Sequence, residues 1–106
     1  MDADKLFSGA YLNVELVREN NLVGKELTII GCTVEKIGNP EKEKLQIVFD
    51  GVDEGFIPNK TNYLKIREVL GNNTDEWKGK IIVLDVTKVM YNGKITPSIT
   101  IKEVKK

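Results

Sequence analysis

Histidine is absent from this chain of 106 residues, and cysteine occurs once, at Cys32. Without histidine the usual proton shuttle at neutral pH is missing, and Ser–His and Cys–His nucleophile pairs are excluded. A lone cysteine forms no intramolecular disulfide, which fits a reducing compartment, and no Cys/His cluster exists to hold zinc. Cys32 lies in an apolar strand pattern, so we expect a buried structural thiol. We therefore predict a protein that is not an enzyme and needs no metal or other cofactor.

Carboxylates are the remaining candidates for catalysis, and Asp50, Asp53 and Glu54 lie close together in the sequence. Their spacing lacks the alternating oxygen ligands of a calcium-binding loop. We expect these three side chains to solvate a tight turn.

Long hydrophobic segments are also missing. The longest purely aliphatic run covers residues 81–84, which is far too short to cross a bilayer. The first residues, Met-Asp-Ala-Asp-Lys, are acidic and lack the apolar centre of a signal peptide. The sequence therefore predicts a soluble, cytoplasmic protein without membrane contacts.

The chain has no net charge, because 16 Lys/Arg residues balance 16 Asp/Glu residues. The two halves differ: residues 1–53 hold six basic and ten acidic residues, and residues 54–106 hold ten basic and six acidic ones. One interpretation is a basic face, built from the second half, that meets a phosphate backbone. The other is that both signs interleave in space and only solvate the surface.

The length suits one domain, residues 1–106, and we expect residues 1–9 to form a flexible arm. Five segments of this domain have strand-like patterns. The segments are residues 26–37, 45–50, 56–57, 80–91 and 94–104. Gly31 is the expected place for a bulge, and Asn92-Gly93 is a strong hairpin signal. Pro97 predicts an edge or bulged strand, in which Ile95, Ile99 and Ile101 face the core. Residues 10–17 suit a strand and a helix equally.

One helix is predicted between the third and fourth strands. It has a polar start at Asn59, Thr61 and Asn62 and an end at Gly71. Its apolar stripe, expected to face the sheet, consists of Tyr63, Ile66, Val69 and Leu70. Thr74 is expected to cap a short turn that carries Trp77.

The order of these elements, three strands, a helix and two strands, is that of the OB-fold, a five-stranded Greek-key β-barrel. OB-folds commonly bind oligonucleotides across strands two and three, between the loops that join strands one and two and strands four and five. Here those loops are residues 38–44 and 90–94.

Binding of single strands needs flat groups for base stacking and cations for phosphates. The candidate residues are therefore Phe56, Trp77 and Tyr91 for stacking and Lys42, Lys44, Lys60, Lys88 and Lys94 for phosphates. Phe49 continues the alternation of Leu45 and Ile47, so we expect it in the core. Trp77 also suits a lid over the open end of the barrel.

Several short motifs resemble a family of small, mostly uncharacterised phage and prophage proteins. They are Asn59-Lys60-Thr61-Asn62, Leu70-Gly71-Asn72-Asn73-Thr74, Trp77-x-Gly79-Lys80, and Gly93-Lys94 followed by Pro97 and Ile99. The resemblance covers roughly residues 9–102 and implies an OB-like, single-stranded-DNA-binding-like protein of a replication or recombination context. It implies no catalytic residues.

The sequence thus leads to two functional hypotheses. The first is a non-enzymatic accessory protein of a phage or mobile element that binds single-stranded DNA or RNA. The second is an interaction or structural module without nucleic-acid binding, in which the strand edge at residues 95–101 pairs with another copy or with a replication protein.

Overall fold

The computed structural model describes residues 11–37 and 40–106. The predicted arm at residues 1–9 and part of the first hairpin loop lie outside the described residues. The elements are α1 (Val14–Glu19), β1 (Glu26–Ile37), β2 (Lys42–Phe49), α2 (Lys60–Leu70), a short 3₁₀ helix (Thr74–Trp77), β3 (Ile81–Tyr91) and β4 (Lys94–Lys105).

The four strands form one antiparallel sheet in the order β2-β1-β3-β4. β1 pairs with β2 over most of its length, but it pairs with β3 only through residues 26–28. β2 and β4 are consequently the two edges, and the described part of the sheet is not closed into a barrel. The mainly β prediction is confirmed, as is the position of the Pro97 strand at an edge.

The third predicted strand, residues 56–57, is reduced to a single bridge. The amide of Ile47 donates to the carbonyl of Phe56, the amide of Phe56 donates back to Ile47, and both distances are 2.8 Å. Pro58 follows at once and has no N–H to continue a ladder. Two residues therefore lie beside β2 without forming a full strand.

Both hairpin features predicted on the long strands are present. The pairing register of β1 with β2 shifts between Ile29 and Gly31, which is the expected bulge. Asn92 and Gly93 have φ angles of 50° and 76°, as the tight turn between β3 and β4 requires.

The ambiguous segment at residues 10–17 contains a bridge followed by a helix. Tyr11 pairs with Gly55, and α1 then begins at Val14. The side chain of Asn13 caps this helix by accepting a hydrogen bond of 2.8 Å from the amide of Leu16. Leu12 and Val17 are buried, so the segment covers one side of the core.

α2 matches the predicted helix closely. Asn59 caps it, accepting from the amide of Asn62 at 2.8 Å, and it ends before Gly71. Ile66 and Leu70 are buried as expected. The predicted cap at Thr74 is wrong by one residue, because Asn73 accepts from the amide of Asp75 and Thr74 begins the 3₁₀ helix.

The core lies between the sheet and the helices. It consists of Leu12, Val17, Leu22, Leu27, Ile29, Ile47, Phe49, Phe56, Ile66, Leu70, Trp77, Ile82, Leu84 and Ile101. Ile99 packs against this cluster, but Ile95 is 66% exposed. The prediction that Ile95 is a core residue is therefore wrong, because the β3–β4 hairpin extends past the core. No helix in the described ranges is long and apolar enough to cross a membrane.

Candidate nucleic-acid interface

Two of the three predicted stacking residues are buried. Phe56 is 2% exposed and stacks on Phe49, with 6.3 Å between the ring centroids. Trp77 is 0% exposed, and its indole N–H donates to the carbonyl of Gly71 at 3.0 Å. Stacking on a base needs an open ring face. The prediction that Phe56 and Trp77 form a stacking surface is therefore wrong, because both rings belong to the core.

The third predicted aromatic, Tyr91, is the last residue of β3, and its backbone pairs with Lys94 across the hairpin turn. The side chain of Tyr91 lies outside what the structure describes.

The five predicted cations are all exposed, at Lys42, Lys44, Lys60, Lys88 and Lys94. Among the described residues there is one ion pair, between Lys105 and Glu26 at 3.2 Å. None of the five predicted lysines therefore has a carboxylate partner within those residues. Lys42 and Lys44 lie on β2 and Lys60 begins α2, whereas Lys88 and Lys94 lie on the β3–β4 hairpin.

Two of these cations line one groove, which we call the β2–α2 groove. Its volume is about 440 Å³, and it is lined by Lys44, Leu45, Pro58, Asn59, Lys60, Tyr63 and Thr74. This volume falls in the range of about 300–1,000 Å³ that is usual for ligand sites. Among the residues that the structure describes, the charged side chains that line this groove are the two lysines. The groove therefore favours an anionic ligand.

The groove exists because the chain leaves the edge of β2 at Pro58. Ile47 directs its N–H and C=O toward Phe56. Strand alternation directs the N–H and C=O of Leu45, two residues away, to the same side. Since pairing ends at Phe56, the backbone of Leu45 offers a donor and an acceptor beside the groove. The cap at Asn59 holds the start of α2, with Lys60, on the opposite wall.

The sequence predicts Tyr63 as part of the apolar stripe of α2 that faces the core, and it gives no indication of a role in binding. Its ring centroid lies 6.1 Å from that of Trp77, and the two ring planes are tilted by 38°. Tyr63 is half-buried and lines the groove. Two features of the sequence could have indicated that Tyr63 is partly exposed. It lies in the first turn of α2, and a tyrosine commonly buries its ring while its hydroxyl group contacts water.

The other titratable candidates lie away from this groove. Cys32 is half-buried, and burial raises the pKa of its thiol, with a further increase from the negative charge of Asp75. The thiol is therefore protonated at neutral pH, as a structural cysteine should be. Asp53 and Glu54 line a separate pocket beside Leu22 and Val52. In residues 11–37 and 40–106, no three His, Cys, Asp or Glu side chains are placed to hold a metal ion.

Comparison with models of known protein families finds no match, and no curated protein or solved structure is significantly similar to the chain. The resemblance to small phage and prophage proteins consequently has only its short motifs as support.

Proposed function

We propose that this protein binds single-stranded nucleic acid in the β2–α2 groove, as a non-enzymatic accessory protein of a phage or mobile element. One observation carries the proposal: among the described residues, Lys44 and Lys60 have no carboxylate partner, and they line the same groove as the Tyr63 ring with no acidic residue beside them. Cations for phosphates together with an aromatic ring for bases are what binding of single strands requires.

Each part of a nucleotide has a counterpart in the groove. A base stacks against Tyr63, whose other neighbour is Trp77. The N–H and C=O of Leu45 hydrogen-bond to the edge of that base. Lys44 and Lys60, on opposite walls, contact successive phosphates. Because a backbone donor and acceptor suit the edge of any base, we expect weak base preference.

The strand order supports an OB-like fold. With the bridge at Phe56 beside Ile47, the neighbours run from residue 56 through β2, β1 and β3 to β4. We propose that this is an OB-fold order left open between residue 57 and β4, where a groove of about 280 Å³ separates Ile57 from Ser98 and Ile99. The phage and replication context has the sequence motifs as its support.

The test is fluorescence anisotropy with a labelled oligodeoxythymidine, titrated at several salt concentrations. The variant Lys44→Gln/Lys60→Gln should bind at least about tenfold more weakly at low salt. Its log–log salt slope should fall by about 1.4, since each phosphate contact to a single strand contributes roughly 0.7. The control Lys36→Gln/Lys65→Gln removes the same charge from exposed positions outside the groove lining and should bind like wild type.

Two results would contradict the proposal. The first is the absence of binding by micromolar wild-type protein at low salt. The second is an equal loss of affinity in both double variants, which would mean that total charge and not the groove matters. An oligouridine titration in parallel distinguishes DNA from RNA, and urea unfolding of each variant verifies that it is folded.

The alternative, strand pairing along β4, is opposed by two features of that edge. The carbonyl of Ile99 points outward and accepts a hydrogen bond of 2.9 Å from the Asn62 side chain. By strand alternation, Pro97 faces the same side, where it has no N–H to donate. A partner strand at residues 97–99 would therefore find few free backbone groups. We do not propose this edge as the interaction surface.

A further inference from the structure

A second groove adjoins the β2–α2 groove at Asn59. Its volume is about 280 Å³, and it is bounded by the start of α1, residues 56–57, the start of α2 and residues 97–99 of β4. Asn59 lines both grooves, so the two meet at this residue. Tyr63 and Asn62 are consecutive residues of α2, with side chains about 100° apart around the helix axis, and each lines one of the grooves. We call the second groove the Asn62 groove.

The buried side chain of Asn62 directs an oxygen into this groove. Asn62 is 3% exposed, and its Nδ2 donates to the carbonyl of Ile99 at 2.9 Å. Because a carbonyl only accepts hydrogen bonds, this contact identifies the nitrogen of the amide and places Oδ1 on its other side. Among the described residues nothing donates to this Oδ1, yet every enclosed side-chain oxygen or nitrogen there has a partner. The Oδ1 is therefore open to the groove that Asn62 lines.

Backbone groups on two facing walls add further hydrogen-bonding positions. The carbonyl of Ile99 points away from β3, and by strand alternation its N–H points the same way. On the facing wall, Phe56 directs its N–H and C=O toward Ile47, so those of Ile57 point away from β2. Ile57 and Ile99 both line the Asn62 groove. The groove thus offers both donors and acceptors.

The lining of the Asn62 groove suits an uncharged ligand. Within residues 11–37 and 40–106, no charged side chain lines it, and Leu12 and Val14 supply apolar surface. Its volume corresponds to about nine water molecules at roughly 30 Å³ each, which leaves room for one small ring system. A fitting ligand has an N–H donor for Asn62, an acceptor for the N–H of Ile99, and apolar faces. A nucleobase has all three features.

We infer that the Asn62 groove binds the base of the nucleotide next to the one that stacks on Tyr63. This inference rests on the proposed function, since Lys44 and Lys60 hold the phosphates that bring the next base to Asn59. It extends that function, because a pair of consecutive nucleotides is bound and the second is recognised through an N–H of its base. A site built to bond an N–H rejects an analogue without one, so base preference is stronger here than at Tyr63.

Nuclear magnetic resonance of the ¹⁵N-labelled protein tests this inference at low salt. Titration with a tetranucleotide of thymidine should shift the backbone amide signals of Lys60 and Tyr63, which report on the β2–α2 groove. The backbone amide signal of Ile99 and the side-chain amide signals of Asn62 should shift over the same concentration range. A tetranucleotide of 3-methylthymidine has the same charge but lacks the N–H donor. It should leave the Asn62 side-chain signals near their positions in the free protein.

The results of this titration separate the inference from the proposed function. Shifts at Lys60 and Tyr63 without shifts at Ile99 and Asn62 overturn the inference and leave the proposed function standing. Equal shifts of the Asn62 side-chain signals with both tetranucleotides also overturn the inference, since the N–H of the base would then make no contact. The absence of any shift overturns both.

A variant that blocks the Asn62 groove provides a second test. Ser98 lines the groove, and Ser98→Phe should weaken binding of the thymidine tetranucleotide about three- to tenfold, which corresponds to the loss of a hydrogen bond. The control Thr96→Phe places the same ring on the same face of β4, outside the groove lining, and should bind like wild type. Equal affinities of the two variants overturn the inference. Urea unfolding verifies that each variant is folded.

Discussion

Gly55 is the residue at which the chain passes most closely beside β2. A Cβ atom placed on Gly55 would overlap the side chain of Gln46. That side chain cannot easily move, because its Nε2 donates to Thr33 Oγ1 at 2.9 Å and to Glu35 Oε1 at 3.0 Å. Gly55 also accepts a hydrogen bond of 2.7 Å from the amide of Leu12. A larger residue at position 55 therefore displaces the Gln46 side chain and disturbs its two hydrogen bonds.

The substitution Gly55→Ala should lower the free energy of unfolding by about 1–3 kcal/mol, because either Gln46 or the backbone must shift. Urea unfolding followed by the fluorescence of Trp77, the only tryptophan, measures this change. Gly31→Ala is the matched control, since a Cβ there meets no atom within 4 Å, and it should change stability by less than about 1 kcal/mol. Equal urea midpoints for the two variants would contradict the close approach.

The burial of an aromatic side chain could be predicted from the sequence at one position but not at two others. The burial of Phe49 followed from its alternation with Leu45 and Ile47 and is confirmed. Phe56 and Trp77 have no such pattern around them, and both are buried instead of exposed. Their neighbours in space come from distant parts of the chain, so no local signal separates a core ring from a stacking platform.

At the scale of elements, Asn62 joins α2 to β4. It is 3% exposed, and its Nδ2 donates to the carbonyl of Ile99 at 2.9 Å. This bond satisfies a backbone group on the outward side of an edge strand. The sequence predicts Asn62 only as part of the polar start of the helix.

The substitution Asn62→Ala should cost about 1–3 kcal/mol of stability, because the carbonyl of Ile99 loses its partner in a partly buried setting. The exposed neighbour Thr61, changed to alanine, should cost less than about 0.5 kcal/mol. Thermal unfolding by circular dichroism compares the two variants. Indistinguishable melting temperatures would show that the contact between α2 and β4 adds no stability.

Where the sequence pattern of an element depends only on neighbouring residues, the boundaries of that element were predicted to within about one residue. β1, α2 and the β3–β4 hairpin follow from β-branched alternation, a 3.6-residue stripe and the Asn92-Gly93 turn. The segment at residues 56–57 was predicted as a strand and forms one bridge. Its extent depends on its partner and on Pro58, and a two-residue pattern contains little information about either.

For the whole molecule, β1 connects the two hairpins, because it pairs with β2 on one side and with β3 on the other. Leu27 and Ile29 of this strand are buried in the same core as Trp77. Removal of a side chain here should therefore weaken both halves of the sheet together.

The substitution Leu27→Ala should lower the free energy of unfolding by about 2–5 kcal/mol, as expected for a cavity in a packed core. Trp77 fluorescence and far-ultraviolet circular dichroism should report one shared urea transition, since one core connects all the strands. Ile30→Ala, at an exposed position on the same strand, should change stability far less. Separate transitions for the two probes would mean that the two hairpins unfold independently.

The sequence by itself determined the mainly β character, the positions of the two long hairpins and of α2, and the balance of acidic and basic halves. These properties depend on local periodicity, turn chemistry and composition. Only the tertiary structure decided that the described sheet stays open, that Phe56 and Trp77 are buried, and that Lys44, Lys60 and Tyr63 share one groove. Each of these depends on which distant segments meet, and that outcome is decided by the packing of the whole core.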